Sequence, residues 1–374
     1  MKRIPFLRPA LVRSESYQQY LSQIDESHIY SNFGPLNVKF EERVLNEYFH
    51  GHGALTTVNN ATSGLILAIA TCMRKGARYA LMPSFTFAAT PLSAMWCGLT
   101  PYFIDVDPQT WCMDPDQVRD TVGKLGDQVA VIVPYAAFGT YTELTPYKEL
   151  HDAGIPVVVD AAASFGTTES GQHFGAGFAG FVVFSFHATK AFGIGEGGLV
   201  YSATKINVDQ IRQASNFGFD FGRQSHVLGL NAKLSEYTAA IALATLDVFP
   251  RKIKVRQAVF ARYWEEFHHR GMFRDDWRLQ KAAGSIAHQF VPAMCPKRYS
   301  NTDVVKKLAE ASIEARTYFS PSCHQQPLFR NCPSSSLTIT EEISRSIVSL
   351  PLWEEMETEH IRQVVAEAEA VTKI

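Results

Sequence analysis

The sequence predicts an α/β fold with a mostly parallel central sheet and a smaller carboxy-terminal α+β domain. Three features predict it. Short apolar, β-branched runs alternate with amphipathic stretches from about residue 54 to 202, the pattern of strands joined by crossover helices. Beyond residue 201 the pattern lengthens into helices and then mixes strands with helices, which suits a second, smaller domain. The chain of 374 residues exceeds what one small core needs, and the length prior allows two domains.

The expected strands cover residues 79–84, 101–106, 129–135, 156–161, 180–186 and 198–201. Each is apolar along its length, as a strand covered on both faces must be. Between them, helices are expected at 62–74, 88–97, 115–122 and 146–152, with later ones at 206–214, 234–246 and 251–269. Pro250 falls between the last two and places the domain boundary, giving 1–250 as the large domain and 251–374 as the small one. The stretch 216–233 is rich in Gly, Phe and polar residues, and loops of that length inside compact domains are usually functional.

Composition excludes several function classes. Charged residues make up 19% of the chain and the formal net charge is −2, without long runs of either sign. Neither nucleic acid nor a membrane surface is therefore an expected partner. The start of the chain, Met1 to Phe6, has basic residues but no apolar stretch of secretory-signal length behind it, and a cytoplasmic location is expected. Six cysteines are scattered without C-x-x-C pairing, which suits reduced thiols. No metal site is expected, and the adjacent His268 and His269 read as a solvated helix face.

Chemistry concentrates in two segments. Asp160 ends the run Val157, Val158, Val159, and Lys190 follows Phe184, Ser185, Phe186 and His187, 30 positions after Asp160. Both then lie at the carboxyl edge of a parallel sheet, where open α/β sheets bind ligands. Taken singly, Asp160 reads as a cap and Lys190 as a surface residue. Together they match what pyridoxal phosphate (PLP) chemistry requires: an amine to hold the cofactor, and an anion that keeps its pyridine nitrogen protonated. Asn60, Thr62, Ser63 and Gly64 open an apolar helix, whose free N–H groups and dipole make a natural phosphate site. The glycine-rich run Gly193 to Gly198 lacks the G-x-G-x-x-G frame, so NAD is not expected.

These segments resemble the DegT-like nucleotide-sugar aminotransferases, particularly those acting on dTDP-4-keto-6-deoxyhexoses. The resemblance runs from Asn32, Gly34, Pro35, Phe40 and Glu41, through 83–90 and Asp105, Asp107 and Pro108, to Asp160, Ser185, Lys190 and Glu196. It continues through Gly229 to Ser235 and ends at Pro351, Leu352 and Trp353. It implies the aspartate aminotransferase-like PLP fold type I. It also implies that Lys190 carries the cofactor as a Schiff base, Asp160 pairs the pyridinium, and Thr62, Ser63 and Ser185 bind the phosphate. Phe87 matches the position that stacks on the ring, and Asn231 the one that reaches the cofactor of a neighbouring subunit, which implies a homodimer with shared sites. His324 and Tyr318 are the implied substrate residues.

The implied activity moves an amino group from an amino acid, glutamate by resemblance, to a nucleotide-linked 4-keto-6-deoxyhexose. Such a product serves a surface polysaccharide, such as a lipopolysaccharide O-antigen, or a secondary metabolite. The chain departs from many relatives at Ala136 and Ala163, which replace residues near the cofactor's phenolic oxygen. That leaves Ser164 or Tyr135 to hold it, and leaves room for amination at C3. A sugar dehydratase on the same fold replaces the lysine with histidine, so Lys190 argues against it. A non-catalytic relative has no need to keep Asp160, Ser185, Lys190 and Asn231 together, which argues against that reading.

Overall fold

The computed structural model describes residues 3–372. A four-stranded sheet runs in the order Ala54–Val58, Gly198–Ser202, Phe181–Ser185, Val158–Asp160. A three-stranded sheet, Thr100–Ile104, Tyr79–Pro83, Val129–Ile132, continues it. Parallel bridges join the two at Ile132 with Val157 and at Tyr135 with Asp160. Gly198–Ser202 runs antiparallel to both neighbours, while the pairs within the rest of the sheet are parallel. The expected mostly parallel sheet is present, with Ala54–Val58 as an edge strand absent from the expected set.

Both faces are covered, and the strand residues alternate between two cores. Val157, Val159, Val182 and Phe184 join Phe40, Phe165 and Phe249 on one face. Val158, Phe181, Val183 and Val200 join Leu65, Ala68 and Ile69 on the other. This double coverage is why the strands read as unbroken apolar runs. Helix Ala61–Cys72 lies close on the sheet. A Cβ at Gly64 would stand 3.0 Å from Val183 Cγ1 and 3.2 Å from Val200 Cγ2, so a side chain there would lift the helix.

The carboxy-terminal part has its own core, in which Val259, Tyr263, Phe267 and Trp277 meet Val291, Val304, Leu308 and Val348. Its antiparallel sheet is ordered Arg278–Leu279, Val291–Met294, Ile347–Leu350. The two helices expected on either side of Pro250 are one helix, Glu236–His269, with the proline inside. An interior proline costs about 3 kcal/mol. Phe249, Val259, Tyr263 and Phe267 of this helix are fully buried, and each such side chain contributes about 1.5–3 kcal/mol. Burial outweighs the proline.

Several motif residues build scaffold. Glu236 accepts N–H bonds from Leu36 (2.8 Å) and Asn37 (2.9 Å) at the start of helix Pro35–Phe49. A Cβ on Gly34 would lie 2.6 Å from the Glu236 carboxyl carbon, which explains the glycine before Pro35. Glu41 accepts from the Thr57 amide (2.8 Å) and from Arg212 (2.6 Å). Among the described residues no helix is long and apolar enough to cross a membrane.

Candidate active site

Asp160 closes its strand and is 3% exposed. Its Oδ2 accepts the Thr90 hydroxyl at 2.6 Å and its Oδ1 the Ala162 amide at 3.1 Å. Burial pushes its carboxyl pKa up, against the opposing pull of Thr90, Ala162 and Lys190. Lys190 sits in a tight loop after Phe181–Ser185. The Lys190 amide donates to His187 O (2.8 Å), Ala188 to Gly195 O (2.7 Å) and Ile194 to Phe186 O (3.0 Å). A Cβ at Gly193 would meet Ala188 O at 2.5 Å, so only glycine lets the loop close. Burial pushes the Lys190 amine below its ordinary value, with Asp160 acting in the opposite direction.

Both groups open into one cavity of about 650 Å³. Thr62, Ser63, Phe87, Ser185 and Tyr318 line it too. Asn60 caps helix Ala61–Cys72 by accepting the Ser63 amide at 2.9 Å. That satisfies one of the first-turn N–H groups and leaves others for an anion. A Cβ at Gly198 would stand 2.9 Å from the Ala61 nitrogen, so the strand end and this helix start touch. Phe87 is 60% exposed, with its nearest ring partner Phe319 at 6.3 Å, which leaves a face of the ring free. A larger groove of about 840 Å³, lined by Pro108, Gln109 and Trp111 together with Phe260, Trp264 and Trp277 of the carboxy-terminal part, holds none of the expected site residues.

Three expected residues do not line the cavity. Ser164 is buried at 1% exposure and its hydroxyl has no hydrogen-bond partner among the described residues. His324 is tied down elsewhere, with Nδ1 2.7 Å from Ser84 Oγ and Nε2 3.6 Å from Glu341. Asn231 is exposed, and its side-chain carbonyl accepts from Lys233 Nζ at 2.7 Å. Tyr135, the alternative to Ser164, does line the cavity, and its hydroxyl oxygen accepts the Phe138 amide at 3.2 Å. No local pattern points to Gln289, whose Oε1 accepts from Lys190 Nζ at 3.3 Å. It lies 99 residues further along the chain, in no local motif. Phe138, Phe290 and Phe319 complete an aromatic wall, visible only once the carboxy-terminal part is packed against the sheet.

Comparison with known proteins agrees with this geometry. The pattern of the DegT/DnrJ/EryC1/StrS aminotransferase family matches residues 12–369. Protein Rv3402c of Mycobacterium tuberculosis is 34% identical over 97% of this chain and 89% of its own length. A solved structure from Bacillus cereus ATCC 10987, classed as a PLP-dependent aminotransferase, is 48% identical with a TM-score of 0.97, covering 98% of this chain and 100% of its own. The structure of DesI with its TDP-sugar product is 32% identical with a TM-score of 0.88, covering 100% and 94%. The chain belongs to the DegT/DnrJ/EryC1/StrS aminotransferase family and is a PLP-dependent aminotransferase of fold type I.

Proposed function

We propose that Lys190 bears the cofactor, Asp160 faces its pyridine nitrogen, Thr62, Ser63 and Ser185 bind its phosphate, and Phe87 stacks on its ring. One observation carries this reading: a buried carboxylate short of a counter-charge shares a cavity with an amine that burial drives toward its neutral, nucleophilic form. Asp160 would pair with a protonated pyridine nitrogen, and the open first turn of Ala61–Cys72 would suit a phosphate. Once bound, the cofactor supplies an electron sink for the carbanion that transamination requires. The chain's part is to orient and to move protons. Lys190 would take the proton from the donor carbon and deliver it to the cofactor carbon that carried the imine, Asp160 would hold the pyridine nitrogen protonated, and the aromatic wall would exclude water. For the phenolic oxygen we prefer Tyr135 to Ser164, because Tyr135 lines the cavity and keeps its proton free to donate.

For the substrate we propose a nucleotide-linked 4-keto-6-deoxyhexose, aminated at C4, with a thymidine nucleotide and glutamate as donor. DesI was solved with a TDP-sugar product. The dTDP-4-amino-4,6-dideoxy-D-glucose transaminase of Escherichia coli is 24% identical over 97% of both chains. Among the described residues the cavity lining includes Phe138, Phe290, Tyr318 and Phe319 but no arginine, and Lys190 is its one lysine. Such a wall favours an uncharged deoxy sugar over a sugar acid. The product then feeds a surface polysaccharide or a secondary metabolite in the cytoplasm. Incubation with glutamate and a 4-keto-6-deoxy nucleotide sugar, followed by NMR location of the new C–N bond, tests this. Amination at C3, or no reaction, overturns the substrate assignment alone.

The exposed position of Asn231 supports a homodimer in which it serves the neighbouring site, with Phe221 and Leu228 exposed on the same loop. His324, held by Ser84, then acts on substrate only indirectly. Mixing Lys190→Ala with Asn231→Ala subunits should restore activity above either parent. No recovery despite proven subunit exchange contradicts the shared site. The division into domains near residue 250 is part of the same proposal: Phe249 packs in the sheet core and Val259 in the carboxy-terminal core.

A further inference from the structure

We infer that Gln289 is the positioning residue for Lys190, its side-chain carbonyl accepting one N–H of the amine whenever that amine is free and so setting the direction of the lone pair. The inference rests on the reading that Lys190 bears the cofactor. The geometry is specific. Gln289 Oε1 stands 3.3 Å from Lys190 Nζ, and both side chains line the same cavity. No other hydrogen bond from this amine to a described residue accompanies it.

Gln289 is held by its neighbours in the chain. The His288 ring stacks on Phe260 at 3.8 Å with the planes 2° apart. The His288 carbonyl accepts from Arg256 Nη1 at 2.7 Å, and Arg256, 4% exposed, also binds Glu354 at 2.9 Å. Phe290 on the other side is buried against Phe138 at 5.0 Å and Phe6 at 5.6 Å. A residue whose chain neighbours are anchored on both sides has its backbone fixed before its side chain takes up the amine, which is what a positioning contact needs.

The chemistry follows from the donor count. A neutral amine has two N–H groups and one lone pair. With one N–H given to Gln289, the lone pair is turned away from Oε1, toward the remaining cavity where a donor carbon would lie. An ammonium gains more from the same carbonyl than an amine does, because charge strengthens the bond. Gln289 therefore also tunes when the amine is ready to accept a proton. The other titratable groups lining the cavity are Asp160, Tyr135, His187, Glu196 and Tyr318, and of these Asp160 is the one that acts on the charge of Lys190.

The test reads the amine itself. Cofactor is stripped from the purified protein, and Lys190 is acetylated with trace acetic anhydride across a pH series and quantified by peptide mass spectrometry. Gln289→Leu should move the labelling midpoint down by about half a unit to one unit, and Gln289→Glu should move it up by at least about one unit. In the loaded enzyme Gln289→Leu should lower kcat about tenfold with KM for the amino donor within about twofold. Opposite shifts in the two variants support the assignment, since a general loosening of the cavity moves both the same way. Midpoints that coincide with the parent, or that shift together, overturn it. Because labelling needs no cofactor, it stands apart from the question of which lysine bears one.

Discussion

Asp105 and Asp160 lie near the same edge of the sheet and are equally buried, at 3% exposure each, yet their surroundings differ. Asp105 accepts three backbone N–H groups: Val106 at 2.9 Å, Thr340 at 2.7 Å and Ile339 at 2.9 Å, the last two at the start of helix Thr338–Ser346. Asp160 has one hydroxyl and one amide, and burial pushes its carboxyl up. A helix start supplies Asp105 with its counter-charge, so its role is complete within the fold. Asp160 lacks one. A buried carboxylate left short in this way is costly to the empty protein and is matched when a cation arrives. The difference separates a carboxylate that joins two parts of the chain from one that, on the proposed reading, serves a ligand.

Four substitutions break or sharpen that contrast. Lys190→Ala should reduce turnover by about a thousandfold or more while the protein still takes up cofactor without covalent linkage, read by steady-state assay and by the absorbance of bound cofactor after gel filtration. Near-parental turnover would remove Lys190 from the mechanism.

Asp160→Asn should lower turnover by about a hundredfold to a thousandfold, because a neutral amide does not keep a pyridine nitrogen protonated. Its stability effect has the opposite sign in the empty protein. A carboxyl whose pKa is raised on folding binds more protons folded than unfolded, so it costs the fold stability as pH rises from near 3.8 through the raised value. Removing it should leave the thermal midpoint of the cofactor-free protein at pH 7 unchanged or higher. That advantage should shrink as pH falls toward 4. A large loss of stability at pH 7 would place Asp160 with Asp105.

Asp105→Ala is the counterpart. It leaves buried N–H groups unpaired and should cost about 3 kcal/mol in denaturant unfolding, with kcat of the folded fraction little changed. The smallest effect belongs to Phe87→Ala. Stacking on a half-open ring is worth about 0.5–1.5 kcal/mol, so cofactor affinity by titration should weaken by roughly tenfold at most.

What the sequence made legible followed from how local the cause was. The strands were readable because each is covered on both faces and is therefore apolar throughout, as Val157 to Val159 and Phe181 to Phe184 are. The placement of Asp160 at a strand end and of Lys190 in the loop just past another was readable because each follows its apolar run directly. Helix Glu236–His269 was not, because tertiary burial at Phe249 and Val259 overrides the local signal of Pro250. His324 was expected at the substrate, but its ring is taken by Ser84, which is 240 positions away. Gln289 reaches Lys190 only through the packing of the carboxy-terminal part, and no short pattern could announce it.

The claim that joins these observations is that one lysine, Lys190, takes the cofactor in the cavity where Asp160 awaits a cation. Borohydride reduction of the loaded enzyme, followed by peptide mapping, tests it most directly. The pyridoxyl label should appear on the peptide bearing Lys190, at close to one per chain, and Lys190→Ala should take no label. Stoichiometric label on another lysine, with Lys190 unmodified, would contradict the account.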